Sequence, residues 1–395
     1  MTAETAQRFA ALEAQAQRLT GVFTTAGYEL VAPAIIQPAG LFLDVVGENL
    51  RGRTYVFTDP DGAELCLRPD LTVPACRLYL EREPHALAAQ RFCYNGPAFR
   101  FQPQDAPSAN AREFRQAGIE NFAAADAVAA DVECLALMCR AVEATGLADY
   151  HLKIGDLGLF RALLDALALP SRWRDRLNHQ FWRPDAFRAE LKRLVSHPDS
   201  AAEGIPGELL DSIDPDDPRS AETVVADYLA ATGLELMGTR TLAEITHGLS
   251  AAVADTRAGR LAPDKAALIE NYVRIAGHPT DAIGMLEAMT RAGNVDIAAD
   301  LSAFRARLDQ FRAVGIAIDK AAFSAEFGRQ FEYYTGFIFE IIAPALGAKS
   351  PIAGGGRYDG LLQAIGAPRR VPAVGATIYT ERLLAALSGS AGGRA

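Results

Sequence analysis

The chain has 395 residues, half of them hydrophobic and 22% charged, with a formal net charge of −10. That length holds two or three compact units. The acidic balance repels a polyanion overall, whereas proteins that grip nucleic acid present basic patches. Five cysteines (Cys66, Cys76, Cys93, Cys134, Cys139) include no C-x-x-C pair, so neither a disulfide framework nor a zinc site is encoded. They read as buried thiols in a reducing compartment, and no metal or cofactor is expected. Glu4 and Arg8 interrupt the N-terminus, which leaves no apolar signal-peptide core, and no stretch approaches the roughly 20 apolar residues that span a bilayer. A cytoplasmic chain away from the membrane is expected.

In chain order, residues 4 to 26 place Phe9, Leu12, Ala16, Leu19, Val22 and Phe23 on one helical face, and Gly27 follows as a stop. Residues 54–58 and 63–67 flank Asp59-Pro60-Asp61-Gly62, whose Pro and Gly suit a type I turn, so a β-hairpin is predicted. The aromatic-rich segments 91–101 and 113–122 lie either side of a polar loop, 102–111, and read as a long antiparallel hairpin. Asp126 caps a helix that runs to about Thr145, and Gly146 ends it.

From about 158 to 312 the strand patterns vanish and Ala/Leu/Arg-rich helical stretches alternate with Pro, Asp and Gly breakers. This predicts a helical insertion, 158–312, within a sheet domain made of 1–157 and 313–395. Strand patterns resume at 337–342 and 373–379, and a helix follows from Thr380 to Leu387.

Five ordered segments carry a resemblance. Gly27 to Pro33, Phe99-Arg100 through Gln116, and Gly375 through Leu383 resemble motifs 1, 2 and 3 of the class II aminoacyl-tRNA synthetases. Arg329 to Glu340 and Gly354 to Gly360 resemble the two histidine-recognition motifs of the histidyl-tRNA synthetases. Taken singly, Gln116 and Glu120 fit a solvated strand face, Tyr333-Tyr334 a core pair, and Gly354 to Gly356 a turn; the joint order is what carries the reading. The resemblance implies an α+β fold, a class II synthetase-like antiparallel sheet flanked by helices, with an inserted helical subdomain.

Free histidine presents an ammonium, a carboxylate and an imidazole, so a selective pocket needs carboxylates or amides, a cation, and a polar pair for the ring. The resemblance implies that Asp70, Thr72 and Gln116 hold the ammonium, Arg329 meets the carboxylate, and Glu120 and Tyr334 bind the two ring nitrogens. Arg100, Tyr333 and Tyr358 line the same site. Period two places Gln116, Gly118 and Glu120 on one strand face.

The adenylation parts depart from the family. Its Arg-x-Glu triplet reads Arg100-Phe101-Gln102, its Arg-Gly-Leu-Asp segment reads Arg329-Gln330-Phe331-Glu332, and the second glycine of its motif 3 strand is Tyr379. Few residues follow Leu383, so no anticodon-binding domain, and hence no tRNA partner, is expected. The chain most closely resembles the regulatory-subunit family of short-form ATP phosphoribosyltransferase. That implies a non-catalytic subunit with no catalytic residues of its own, which activates a separate short catalytic subunit and senses L-histidine for feedback inhibition of histidine biosynthesis. A homodimer through residues 28 to 46, inside a hetero-oligomer, is implied as well. The rival readings are a truncated histidine-activating enzyme, either a synthetase or an amino-acid ligase, and a histidine sensor for another partner.

Overall fold

Thr5 opens the first helix, its hydroxyl accepting from the Arg8 amide at 3.3 Å, and Gly27, at φ +87°, closes it. This helix, α1 (Ala6–Thr25), buries Leu12, Ala16, Leu19 and Phe23 as its spacing predicts, and also Gln15. The Gln15 amide nitrogen donates to the Thr380 carbonyl at 2.8 Å. Phe9 departs from the expected face: it is 49% exposed, with the Arg115 guanidinium over its ring at 5.5 Å. The structure, a computed structural model, describes residues 5–43, 48–102, 111–196, 205–233, 241–328 and 333–392.

Short elements follow: β1 (Glu29–Leu30), β2 (Ile36–Pro38), α2 (Gly40–Leu43) and α3 (Glu48–Arg51). The predicted hairpin is β3 (Tyr55–Thr58) and β4 (Glu64–Leu67), closed by Gly62 N donating to Asp59 O at 3.0 Å. The Asp59 carboxylate holds the turn by accepting from the amides of Asp61 and Ala63. Next come α4 (Thr72–Arg82), the long hairpin β5 (Gln90–Phe99) and β6 (Glu113–Phe122), and α5 (Ala127–Ala144). Asp126 caps α5 by accepting from Ala129 N at 3.0 Å.

After β7 (His151–Asp156) and α6 (Leu157–Ala166) comes a run of helices: α7 (Ser171–Gln180), α8 (Pro184–Val195), α9 (Gly207–Ser212), α10 (Pro218–Thr232), α11 (Leu242–Ala258) and α12 (Pro263–Val273). The chain then alternates again: β8 (Ala276–Gly277), α13 (Pro279–Ala292), α14 (Ala298–Ala313), β9 (Ala322–Ser324), β10 (Phe337–Ile342), β11 (Ala353–Arg357), α15 (Leu361–Ala364), β12 (Ala373–Tyr379) and α16 (Thr380–Gly392). The Gly354–Gly356 run is a buried strand and not a turn.

Two compact units result, one of 1–166 with 271–395 and one of 167–270. The helical stretch 158–312 read from the sequence therefore takes in α6, α13 and α14, which belong to the first unit. The second unit packs Leu209, Ile213, Ala221, Val225 and Val253 together. Its buried Asp255 accepts from Trp173 Nε1 at 2.9 Å and pairs with Arg172, Arg176 and Arg193.

In the first unit nine strands form one sheet in the order β1-β5-β6-β12-β11-β10-β7-β9-β8. The pairings from β5 through β7 are antiparallel, whereas β1 on β5 and β7 on β9 are parallel. Strand β6, from the first third of the chain, thus pairs with β12 from its last tenth. Residues 113–122 alternate faces: Asn121 donates to Glu133 of α5 at 3.4 Å, so Gln116, Gly118 and Glu120 face away from α5. Cross-strand partners share that face. They are Tyr94 and Thr377 opposite Gly118, Gly375 opposite Glu120, and Tyr379 opposite Gln116. Among the described residues no helix is long and apolar enough to cross a membrane, and no group of His, Cys, Asp or Glu could hold a metal ion.

Candidate functional site

Glu120 has no solvent exposure. Tyr94 of β5 donates its phenol to Oε1 at 2.8 Å, Tyr358, just past β11, donates a short hydrogen bond to Oε2, and Thr72 at the start of α4 adds a side-chain bond to the same carboxyl. Behind Tyr94, Thr377 of β12 bonds the phenol oxygen at 2.9 Å. Gly375 is required beside this group, because a Cβ there would collide with Glu120 Oε2. Gly118 is required one step along, because a Cβ would stand 2.7 Å from the Tyr94 hydroxyl.

Burial pushes the Glu120 carboxyl up from 4.5 to about 7, against the lowering pull of its three hydroxyl donors. The phenols of Tyr94 and Tyr358 are pushed up in turn by burial and by the carboxylate charge. These groups therefore stay neutral donors aimed at one acceptor.

Asp70 lies nearby, fully buried at the head of α4. Its Oδ1 accepts from Val73 N at 3.2 Å, while Oδ2 is buried with no hydrogen-bond partner among the described residues. Burial raises this carboxyl to about 6, with Arg100 and Arg68 holding it down. The Leu71 amide donates to Gln116 Oε1 at 3.1 Å, which ties β6 to the head of α4. Arg100 donates to the Pro69 carbonyl at 2.8 Å. An open carboxylate oxygen beside Thr72 and Gln116 can accept from an ammonium; the Glu120 end offers a carboxyl and phenols to a polar ring.

The rings of Tyr333, Tyr334 and Tyr358 form one cluster, with centroids 4.8, 5.7 and 6.5 Å apart. The structure thus brings together Asp70, Thr72, Arg100, Gln116, Glu120, Tyr333, Tyr334 and Tyr358. Arg329, expected to meet a carboxylate, lies outside the described residues, as do residues 330–332. Tyr94, Thr377 and Arg68 were missed by the sequence reading. Tyr94 was legible by alternation from Cys93, since it pairs with Gly118 on the site's face.

Next to this cluster runs a stack of alternating character. The Arg100 guanidinium lies 4.9 Å from the Phe114 ring, Phe114 lies 5.9 Å from Tyr379, and Arg382 lies 4.5 Å over Tyr379. Arg382 also donates to the Pro351 carbonyl at 3.0 Å. Tyr379 thus lies between an aromatic ring and a cation. A separate groove of about 870 Å³, lined by Ala136, Cys139, Tyr150, Val314 and Ile316 among others, shares no residue with the polar cluster and is not the candidate site.

Fold and site together define a protein of the histidyl-tRNA synthetase fold class. A sequence profile of the family described as "Histidyl-tRNA synthetase" matches residues 4–208 and 221–383. A solved histidyl-tRNA synthetase from Nostoc superposes with a TM-score of 0.61 at 16% identity, covering 96% of this chain and 72% of that one. A solved Bacillus halodurans protein titled ATP phosphoribosyltransferase regulatory subunit/histidyl-tRNA synthetase gives 0.68 at 19%, covering 98% and 82%.

Curated relatives narrow the family. The ATP phosphoribosyltransferase regulatory subunit of Mesorhizobium japonicum is 33% identical over 95% of this chain and 97% of its own length. That of Brucella anthropi is 34% identical over 90% and 92%. The chain belongs to the family of ATP phosphoribosyltransferase regulatory subunits, and by that membership it is a non-catalytic subunit.

The raised carboxyls make stability depend on pH. Between pH 4.5 and about 7 the folded chain keeps a proton on Glu120 that the unfolded chain releases, so stability is greatest below that window and falls as pH rises through it. Asp70 acts the same way between 3.8 and about 6. Urea denaturation at pH 5 and pH 8 should show Glu120→Gln losing less stability than wild type over that interval. Parallel profiles would contradict the assignment.

Proposed function

We propose that this chain binds L-histidine between Asp70 and Glu120 and carries that signal to a short-form ATP phosphoribosyltransferase catalytic subunit, which it activates. The observation that supports the reading most is Glu120, a buried carboxyl already organised by Tyr94, Tyr358 and Thr72 beside two further tyrosines. An imidazole has one N–H donor and one acceptor nitrogen in its neutral form, and it meets a carboxyl and a phenol there. The ammonium finds the open Asp70 Oδ2, with Thr72 and Gln116 alongside. Arg329 is proposed for the carboxylate, with Arg100 beside Asp70 lining that end of the pocket.

Nothing in this pocket performs phosphoribosyl transfer; it measures. Histidine alters catalytic output only by binding one state of the assembly more tightly than another, and a coupling of about 1–3 kcal/mol suffices for useful control. The Tyr379 stack supports sensing over activation, because adenylation needs a place for the nucleotide. Two copies are proposed to associate through the region of residues 28–46, where Leu30, Ile35 and Ile36 are exposed.

Reconstitution with a short catalytic subunit should raise its activity, and histidine should then inhibit it. Glu120→Ala should remove the inhibition and leave the activation. Loss of both, or of neither, would count against the proposal. Histidine-dependent exchange of pyrophosphate into ATP should be absent in the isolated chain; robust exchange would favour a histidine-activating enzyme instead.

A further inference from the structure

One residue before Tyr358, Arg357 points to the other face of the sheet, where its side chain is 8% exposed. Its Nη2 donates to Asp131 Oδ1 of α5 at 2.7 Å and to the Ala127 carbonyl at 2.6 Å, and its Nη1 to Asp359 Oδ1 at 3.0 Å. Asp131, fully buried, also pairs with Arg307 of α14, whose Nε stands 2.9 Å from Oδ2 as an ion pair without hydrogen-bond alignment. Arg307 Nη1 in turn reaches Asp156 of β7 at 2.6 Å. Three carboxylates thus share two guanidinia under the strand that carries Tyr358. Taking such charges out of water costs several kcal/mol per ion, and apolar side chains of similar volume often stabilise as well or better. Stability alone does not account for the knot.

The same residues fix the backbone that carries the tyrosines. The Thr335 amide donates to Arg357 O at 2.7 Å, and the Asp359 amide donates to Thr335 Oγ1 at 3.0 Å. Asp359 Oδ1 accepts from the Ala373 amide at 3.0 Å, and Tyr358 N donates to Ala373 O at 2.8 Å. Tyr358 therefore sits between two members of the knot, and Tyr334 adjoins Thr335, which bonds to the backbone of both. Gly336 makes room for it, since a Cβ there would lie 3.2 Å from Arg357 Cδ.

We propose that Arg357, held by Asp131 and Asp359, is a positioning residue that sets the rings of Tyr334 and Tyr358 at the Glu120 end of the site from the far face of the sheet. It acts through the backbone and its neighbours, not by touching a ligand. Arg307 extends the tie to α14, so displacement of α14 against α5 is felt at Tyr358 through two guanidinia. The inference rests on the histidine reading of the site for its consequence, but not for its geometry.

Two measurements on the full chain test it in wild type, Asp131→Asn, Asp359→Asn and Arg357→Lys, with urea midpoints recorded alongside. Calorimetric titration compares L-histidine with β-(2-thienyl)alanine, a ring of similar size without an N–H. The ratio of the two affinities should fall at least tenfold in each folded variant. Independently of any ligand, the Glu120 carboxyl is titrated by carbon-13 NMR. Weakening the Tyr358 donor should raise its midpoint above the wild-type value, because that bond lowers it. Where Asp131→Asn fails to fold, Asp359→Asn, with a side chain 22% exposed, decides.

Folded variants with wild-type discrimination and an unmoved Glu120 midpoint would overturn the proposal. A wild-type chain that binds no histidine would overturn the functional reading alone, since the NMR titration still decides the role of Arg357.

Discussion

A carboxyl with no exposure, set in the middle of a sheet, is the constraint around which this first unit is built. An ionised carboxylate cannot be left there without donors, and even protonated it needs partners for its oxygens. Tyr94 supplies one from β5, Tyr358 another from the end of β11, and Thr72 a third from α4. Two glycines, Gly118 and Gly375, keep the neighbouring strands bare so that the carboxyl and the Tyr94 phenol fit between them. The strand order demands that β12 slot between β6 and β11. The site therefore exists only when segments more than 200 residues apart in the chain have docked.

The proposed choice of sensing over activating rests on what lies beside that carboxyl. At one end the groups that suit an amino acid remain: Asp70 with its open oxygen, Gln116 tied to the Leu71 amide, and the tyrosine cluster. At the other, Tyr379 stands between Phe114 and Arg382 and occupies its own aromatic slot. On the proposed reading, a chain built this way holds a small ligand and changes the balance between states of an assembly without transforming the ligand. That suits the regulatory-subunit family to which it belongs.

Period two in residues 113–122 and the breakers around them were enough to expect the β5–β6 hairpin and to place Gln116, Gly118 and Glu120 on one face. Asp126, Gly146 and the Asp59 turn announced their caps and turns through local hydrogen bonding, which is written in a few adjacent residues. Other features were not legible. Strands of two or three residues, such as β1, β8 and β9, are too short to show a period, and the Gly354–Gly356 run has no side chains with which to show one. Helices α13 and α14 look in composition like α7 to α11, so the sequence could not tell that they pack with the sheet unit. The Arg357–Asp131 pair derives its meaning from residues 226 positions apart; nothing local marks it.

The central claim is that Glu120 and the tyrosines around it receive an imidazole. A crystal structure of the chain grown with L-histidine tests it most directly. The account predicts density for one histidine, with a ring nitrogen within hydrogen-bonding distance of Glu120 and the ammonium against Asp70 Oδ2. Histidine bound elsewhere, or with its ring turned away from Glu120, would contradict it.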